Sequence, residues 1–225
     1  MLAGMTLFAR RNFLLQTAAG AAALTLPARL FAQAASASPR DRRILAIAKE
    51  QVERAGDVLW RRDIAGIADF GLHSAQRRFH FANLENGTVR SFYVTHGKGS
   101  DPEHDGWLNA FSNVEGSLAT SRGAYISWQW YKGRYGTSIR LGGLDPSNSN
   151  ALPRAIVMHS ADYATEAHVE RWGRLGRSDG CFAMGPDDFR EALWNLSGGR
   201  LLYADTLGIG EAGEQLAPPG TTPLA

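Results

Sequence analysis

The amino-acid sequence predicts a single domain of mainly β structure with a few short helices. Two pairs of strand-like segments are each joined by a short glycine-containing turn, and helical periodicity is confined to short stretches. The length of 225 residues, 44% of them hydrophobic, suits one domain with a substantial core. This composition excludes wholesale disorder, a collagen-like repeat and a polytopic membrane protein. The single cysteine excludes a disulfide scaffold.

The first 34 residues are typical of an export signal. Arg10 and Arg11 precede a mildly apolar stretch over residues 13–26, and the small-residue triplet 32–34 follows. Basic, apolar and small residues in this order are typical of a cleaved signal, and the paired arginines indicate the twin-arginine route. Because the apolar stretch is shorter than the ~20 residues that span a membrane, we favour cleavage near Ala35 over an uncleaved anchor. We therefore expect the twin-arginine export machinery as a partner, a periplasmic or extracellular location, and no stable membrane anchor after cleavage.

The charge balance gives no support to a nucleic-acid partner. The chain has 24 Lys+Arg against 22 Asp+Glu, but three of the arginines lie in the first 34 residues. Without them, 21 basic residues face 22 acidic ones. No nucleic-acid partner is therefore expected.

The chain after the signal begins with a helical lead-in and continues as strands. In residues 35–63, one amphipathic helix begins near Pro39 and ends by Gly56. From Ile64 the pattern changes to that of strands. The first hairpin is predicted by the Asn86-Gly87 turn. The predicted strands lie at residues 77–84, 89–96, 124–131, 137–141, 154–160 and 200–204.

Two further helices and a tail complete the predicted organisation. One helix is predicted over residues 165–172. Another begins at Pro186, where a proline followed by two aspartates suits a helix N-terminus. Residues 206–225 are rich in Gly, Pro and Thr, which predicts a loose C-terminal tail.

The only cysteine of the chain, Cys181, is the first candidate for chemistry. An unpaired thiol in an exported protein is a liability unless it is buried or used. Cys181 follows the polar, glycine-containing segment 176–180, which favours a nucleophile presented on a loop. A small buried hydrophobic residue is the alternative.

A thiol with its ordinary pKa of about 8.5 needs a nearby base or positive charge to react at neutral pH. Of the six histidines, His159 is the best placed, because it stands at the polar end of the apolar run 155–158. His80 and His168 are interpreted as structural or solvated. The sequence has neither a His-Glu-x-x-His helix nor paired cysteines, so no metal site and no cofactor are expected.

At residues 156–160 and 173–181 the sequence resembles the L,D-transpeptidase catalytic domain, the YkuD-like family of peptidoglycan cross-linking enzymes. Family-like segments recur in the same order over about residues 64–205. The resemblance implies a β-sandwich fold of the L,D-transpeptidase type. The other family-like segments are 95–100, 111–113, 123–125 and 138–144.

The resemblance also implies roles for individual residues. Cys181 is expected to be the nucleophile and His159 its base, with the backbone carbonyl of Ser160 orienting the imidazole. The backbone N–H groups of Gly180 and Cys181 are expected to stabilise the oxyanion, with close approach of the substrate explaining the glycine. The substrate groove is expected to include His96, Tyr125, Arg174 and Ser178.

Two features depart from the family pattern. Asp179 stands where the family more often has histidine, and the 22 residues from His159 to Cys181 are a longer separation than usual. A carboxylate close to the thiol would raise its pKa, whereas Arg174 and Arg177 would lower it. The sequence does not decide between the two effects.

The implied activity is peptidoglycan L,D-transpeptidation on tetrapeptide stems, through a cysteine thioester, with release of D-Ala and formation of 3→3 cross-links. If water replaces the amine acceptor, the enzyme is an L,D-carboxypeptidase. A non-catalytic peptidoglycan-binding module is another alternative. A thiol redox protein is disfavoured because no second cysteine resolves a mixed disulfide. Aromatic residues that would stack on sugars in the binding module are Trp107, Trp128, Trp130 and Tyr131.

Overall fold

The computed structural model describes residues 37–217, so the predicted twin-arginine signal lies outside the described residues. In this range no helix is long and apolar enough to cross a membrane. The α-helices of the range are α1 (Pro39–Ala55), α2 (Glu166–Trp172) and α3 (Pro186–Asn195). The strands are β1 (Ile64–Asp69), β2 (Phe79–Asn83), β3 (Thr88–Phe92), β4 (Gly123–Gly133), β5 (Gly136–Gly143), β6 (Val157–Ser160), β7 (Phe182–Met184) and β8 (Leu201–Asp205).

All eight strands belong to one mixed sheet, in the order β3-β2-β1-β8-β4-β5-β6-β7. The β1–β8 and β6–β7 pairs are parallel, and the other neighbours are antiparallel. The predicted hairpin around Asn86-Gly87 is present as β2–β3, with Gly87 at a φ of 69°. The second predicted strand pair is present as β4–β5.

The sheet curls until the segment after β3 reaches the strand at the opposite edge. The Thr95 N–H donates to the Ala183 carbonyl over 3.0 Å, and Gly97 forms a parallel bridge with Ser178. The concave face encloses the larger hydrophobic core, to which nearly every strand contributes. The predicted class, mainly β with a few short helices in one domain, is confirmed, with the two halves of one half-barrel sheet facing each other across this core.

Helix α1 covers part of the convex face. The Ser38 hydroxyl caps its N-terminus by accepting the Asp41 N–H at 3.0 Å, and the chain leaves it at Gly56, at a φ of 59°. Ile44 and Ala48 of α1 are fully buried in a second core, which also contains residues of β1, β4 and β8. The lead-in predicted before residue 64 therefore packs on the sheet as part of the same domain.

The first part of the predicted loose tail is held in place. The Asp69 carboxylate accepts backbone N–H groups from Leu207, Gly208 and Ile209 at 2.7–2.9 Å. Ile209 is buried in the second core. The expectation of a loose tail from residue 206 is therefore wrong for residues 207–209, because a buried carboxylate accepts hydrogen bonds from their backbone N–H groups. Most of residues 211–217 are exposed.

Candidate active site

The base candidate lies on a strand, and the nucleophile candidate immediately precedes the neighbouring strand, on the same face of the sheet. Cys181 immediately precedes β7, and His159 lies on β6. The parallel register pairs Met158 with Phe182 and His159 with Ala183. Met158 and Phe182 point into the larger core. Since side chains alternate along a strand, Cys181 and His159 both lie on the opposite face.

His159 is fixed in one tautomer by its own strand. Its Nδ1 lies 2.9 Å from the Ser160 carbonyl and must donate to it, which leaves Nε2 unprotonated in the neutral ring. The contact agrees with the orienting role expected for the Ser160 carbonyl. Burial lowers the pKa of His159 below its usual 6.5, an effect that the bond to Ser160 opposes. The imidazole is therefore neutral at neutral pH and has a nitrogen able to accept a proton.

The Cys181 thiol is 7% exposed, with Sγ 3.7 Å from the Ala155 carbonyl. Burial raises the pKa of the thiol, and hydrogen bonding from the Val157 backbone lowers it. Of the nearby charges, Asp179 raises this pKa and Arg154 lowers it. The resting site thus holds a neutral thiol and a neutral imidazole on one face of the sheet, so the thiol needs a base to react.

The charges predicted to compete around the thiol are distributed differently from the expectation. Asp179 does raise the pKa of the thiol, and its carboxylate pairs with Lys98 at 3.0 Å. Arg177 is bound elsewhere, to the carbonyls of Asp101 and Pro102. The opposing cation is Arg154, which the sequence analysis did not identify. Its guanidinium donates to the carbonyl of Ser112 and to the hydroxyls of Ser117 and Ser121.

Ser178 organises the turn that carries the thiol. Its hydroxyl donates to the Cys181 carbonyl at 2.6 Å and accepts the Gly180 N–H at 3.2 Å. Ser178 is also buried. The structure therefore contradicts the prediction that Ser178 contacts substrate, because its hydroxyl is engaged inside the loop.

Gly180 is required by the backbone of this turn. Its φ is 109°, and a Cβ there would lie 2.8 Å from the Ala119 carbonyl oxygen and 2.9 Å from the Ile156 Cδ1. Conformation and packing, rather than room for substrate, explain the glycine. Because its N–H is bonded to Ser178, Gly180 is not a free oxyanion donor in this structure.

His96 lies inside the protein and not in a groove. Its Nδ1 accepts from Arg78 Nη2 at 2.9 Å, and its Nε2 donates to the Asp101 carboxylate at 3.1 Å. Arg78 is itself fully buried and bonds the carbonyls of Leu72 and Val94. Burial lowers the pKa of His96 to about 4. The predicted substrate role is therefore wrong, since both ring nitrogens are used in a buried network.

Tyr125 and Arg174 complete the set predicted for the groove. The Tyr125 ring is fully buried 5.5 Å from Phe182, and its hydroxyl donates to the Ser121 carbonyl at 2.7 Å. It is a core residue, so the prediction that it binds substrate is also wrong. Arg174 is half-buried and its Nη1 lies 3.4 Å from the Trp172 carbonyl. Its substrate role stays a prediction.

The structure adds Tyr135, which the sequence analysis missed, to the site. Its ring stacks on His159 with centroids 4.6 Å apart and 19° between the planes. Tyr135 lies between Gly133 and Gly136, at the turn joining β4 to β5. A glycine-flanked aromatic residue at a hairpin tip was the available signal, but only the pairing of β5 with β6 brings it to the histidine.

No group of three or more metal-ligating side chains occurs between residues 37 and 217. A buried thiol and a tautomer-fixed imidazole share one face of the sheet and can carry out proton transfer and nucleophilic attack. Cys181 and His159 are therefore the candidate site of this mainly β domain.

The sequence matches the L,D-transpeptidase catalytic-domain family, YkuD_2, over residues 41–204. The chain belongs to this family. The match begins within α1, which agrees with the packing of that helix on the sheet. No curated protein matches the chain.

Several solved structures are similar to the chain at low sequence identity. An L,D-transpeptidase from Mycobacterium smegmatis is 15% identical, with a TM-score of 0.39, over 64% of this chain and 58% of that chain. L,D-transpeptidase 3 from Mycobacterium tuberculosis, in complex with a faropenem-derived adduct, is 12% identical, with a TM-score of 0.41, over 64% and 60%. The helical cell shape determining protein Pgp2 from Campylobacter jejuni is 13% identical, with a TM-score of 0.39, over 70% and 55%. The matches span less than two thirds of the length of these chains.

Proposed function

We propose that the protein is a peptidoglycan L,D-transpeptidase that uses Cys181 as nucleophile and His159 as general base. The observation that supports this most strongly is the β6–β7 register. It puts the thiol and an imidazole with a free Nε2 on the same face of adjacent strands. Family membership supplies the substrate class.

The first half of the proposed reaction forms an acyl-enzyme. His159 Nε2 takes the Cys181 proton as Sγ attacks the carbonyl at the L-centre of the third stem residue. The carbonyl electrons move to oxygen and return as the bond to D-Ala breaks, and His159 gives its proton to the departing amine. The product is a thioester on Cys181, and D-Ala leaves as the free amino acid.

The second half transfers the acyl group to an amine. His159 takes a proton from the side-chain amine of a neighbouring stem as that amine attacks the thioester. The bond to Sγ breaks and the thiol recovers the proton, leaving a 3→3 cross-link. The Cys181 N–H is the proposed oxyanion donor, since the Gly180 N–H is already bonded to Ser178.

We further propose that the protein acts on the cell wall after export by the twin-arginine machinery. Arg10 and Arg11 with the apolar stretch behind them support this route. The stem peptides of peptidoglycan are its proposed partners. Arg174 is kept as a proposed substrate contact because it is half-buried in the family-like segment before Cys181.

Product analysis tests the proposed activity. The protein starting at Ala35 is mixed with a disaccharide-tetrapeptide, with Cys181→Ala as the control, and the products are weighed by mass spectrometry. The proposal expects loss of D-Ala and a cross-linked dimer with the wild type only. A tripeptide monomer without dimer would assign carboxypeptidase activity instead. Wall binding without turnover by the wild type would contradict an enzymatic role.

A further inference from the structure

The β4–β5 hairpin, residues 123–143, is a basic and aromatic element beside the site. Its sequence contains Lys132, Arg134 and Arg140 and no Asp or Glu. Neither Arg134 nor Arg140 forms an ion pair with an acidic side chain within residues 37–217. Both arginine residues are exposed. Positive charge is thus concentrated on one hairpin of a chain whose overall charge is nearly balanced.

Arg134 is linked to the proposed base through Tyr135. Its guanidinium carbon lies 5.7 Å from the centroid of the Tyr135 ring, and that ring stacks on His159. Tyr135 remains 43% exposed. The Tyr135 ring therefore lies between the Arg134 guanidinium and the His159 imidazole.

Arg140 reaches the same face through the ladder of β5. Tyr131 pairs with Ser138, which pairs with His159, so these three side chains share a face across three strands. Arg140 lies two residues beyond Ser138 on that face, with its guanidinium carbon 4.9 Å from the Tyr131 centroid. Lys132 pairs with Thr137 and lies on the other face.

The spacing between Arg140 and the thiol suits a short peptide. Arg140 pairs with Val157, and continuation of the β6–β7 register places Cys181 beside Val157. With about 4.8 Å between adjacent strands, the Arg140 and Cys181 Cα atoms are roughly 10 Å apart. The guanidinium stacks on Tyr131 of β4, on the side away from β7, so it lies farther from the thiol than the Cα atom does. A peptide residue spans about 3.3 Å when extended, so a carboxylate about three residues from an attacked carbonyl approaches the resting guanidinium, and a nearer one is reached when the arginine side chain turns towards β6.

We propose that Arg134 and Arg140 bind carboxylates of the stem peptide and so determine substrate specificity. This inference rests on the proposed function and names the chemical group recognised at that site. A guanidinium matches a carboxylate through two parallel hydrogen bonds. Stacking on tyrosine holds each guanidinium before binding and leaves its edge free to donate. Charge complementarity thus selects a carboxylate-rich peptide.

Binding to the Cys181→Ala protein tests the inference without requiring turnover. The ligands are a disaccharide-tetrapeptide and the same compound with its carboxylates converted to amides. Kd is measured by calorimetry for Cys181→Ala alone and with Arg134→Gln and Arg140→Gln, singly and together. Arg43→Gln, an exposed arginine on α1 at the other end of the sheet, is the matched control. Thermal midpoints show that each variant is folded, and Arg140→Lys tests for partial rescue.

The expected result is a Kd for the free-acid stem raised about tenfold or more by the double change. The Kd of the double variant for the amidated stem should stay unchanged. The Kd values of Arg43→Gln for the free-acid stem and for the amidated stem should also stay unchanged. In the enzyme with Cys181 intact, the same change should raise KM with little effect on kcat. Equal losses for both ligands would overturn the inference, because they would indicate a packing role for the arginines. An unchanged Kd of the double variant for the free-acid stem would also overturn the inference. So would a loss of affinity for polyglutamate or heparin in the arginine variants while the Kd for the stem stays the same.

The two proposals fail in distinguishable ways. Arginine-dependent binding of the free-acid stem without release of D-Ala by the wild type would refute the proposed activity and support the hairpin inference. Release of D-Ala with a KM that is unchanged in both arginine variants would support the proposed activity and refute the hairpin inference.

Discussion

Burial shifts the pKa values of the two central residues in opposite directions. The pKa of the Cys181 thiol is raised and that of His159 is lowered, so both groups are neutral at rest. In this state the proton moves during attack, and His159 must be unprotonated to accept it. Protonation of His159 is therefore expected to cause the fall of kcat/KM at low pH.

Replacing His159 by glutamine should lower kcat by roughly 10²–10⁴-fold, because the base is lost while the thiol remains. Wild-type activity should rise with pH through the pKa of His159, which lies below 6.5, and stay high above it. The variant should lose that limb in a plot of log kcat/KM against pH. A variant that keeps the same acid limb would show that another group is the base.

The Asp179 carboxylate raises the pKa of the Cys181 thiol, and Lys98 pairs with it at 3.0 Å. Asp179→Asn should therefore lower this pKa and speed alkylation by iodoacetamide at pH 8. Lys98→Gln should slow the reaction, since it leaves the carboxylate unopposed. Both side chains are about half-exposed, so the expected changes are only about two- to threefold. Slower alkylation of Asp179→Asn would contradict this electrostatic account.

At the scale of elements, the segment after β3 supports the loop that carries the nucleophile. The His96 carbonyl accepts the Ser178 N–H at 3.0 Å, and the Lys98 N–H donates to the Ser178 carbonyl at 2.8 Å. Thr120 joins both sides, accepting the Gly97 N–H and donating to the Gly180 carbonyl. The buried Arg78–His96–Asp101 network thus anchors the segment against which the nucleophile turn is built.

Two buried histidines, His96 within the network and His80 outside it, should make the protein sensitive to acid. The pKa of His96 falls from 6.5 to about 4 on folding and that of His80 to about 3. Each histidine therefore stabilises the fold fully above pH 6.5, and this stability is lost as the pH falls from 6.5 towards the folded pKa. The loss is roughly 1.4 kcal/mol per pH unit for each group within that window.

Urea unfolding between pH 6 and 4.5 measures this effect. His96→Gln should have a lower free energy of unfolding at pH 7. The free energy of unfolding of this variant should also fall less steeply with decreasing pH, by roughly 1.4 kcal/mol per pH unit, which is the contribution of one histidine. His80→Asn provides the comparison, since His80 bonds Ser91 on the hairpin and has no role in the network. An unchanged slope in His96→Gln would mean that His96 is not buried in its neutral form.

Sequence patterns predicted the elements whose signals are local. The Asn86-Gly87 hairpin, the helix from Pro39 and the helix from Pro186 were all found where expected. Strand β7 was missed because its three residues follow a polar loop and show no periodicity of their own. Only its parallel pairing with β6 makes it a strand.

The site was predicted less completely than the fold. His159 and Cys181 lie on one sheet face, and the Ser160 carbonyl lies 2.9 Å from the imidazole Nδ1, a contact that the family resemblance implied. His96 and Tyr125 were assigned to a groove because they lie in family-like segments. Both are buried because of how the whole sheet curls, which the local sequence does not indicate. Tyr135 reaches the site only through pairing of the sheet.

At the scale of the whole molecule, the curled sheet is closed on one side by the segment that follows β8. The Asp69 carboxylate accepts three N–H groups from residues 207–209 and one from Gly71. It also sits at the end of β1, in the middle of the sheet. One buried acid therefore ties the chain after residue 205 to the central strands.

Asp69→Ala should lower the free energy of unfolding by about 2–4 kcal/mol, since four backbone donors, three of them buried, lose their acceptor. Hydrogen exchange at Leu207, Gly208 and Ile209 should rise together. Asp57→Ala, which removes a fully exposed acid, is the matched control and should change neither quantity. Protection of the three amides that persists in Asp69→Ala would show that the tail is held by other contacts.

The proposed reaction requires a covalent bond between Cys181 and the stem peptide. The most direct test is intact-mass spectrometry of the protein from Ala35, acid-quenched during reaction with a disaccharide-tetrapeptide and followed by peptide mapping. We expect an adduct equal to the substrate minus D-Ala, located on Cys181 and absent from Cys181→Ala. Release of D-Ala without this adduct, or with an equal rate in Cys181→Ala, would contradict the proposed mechanism.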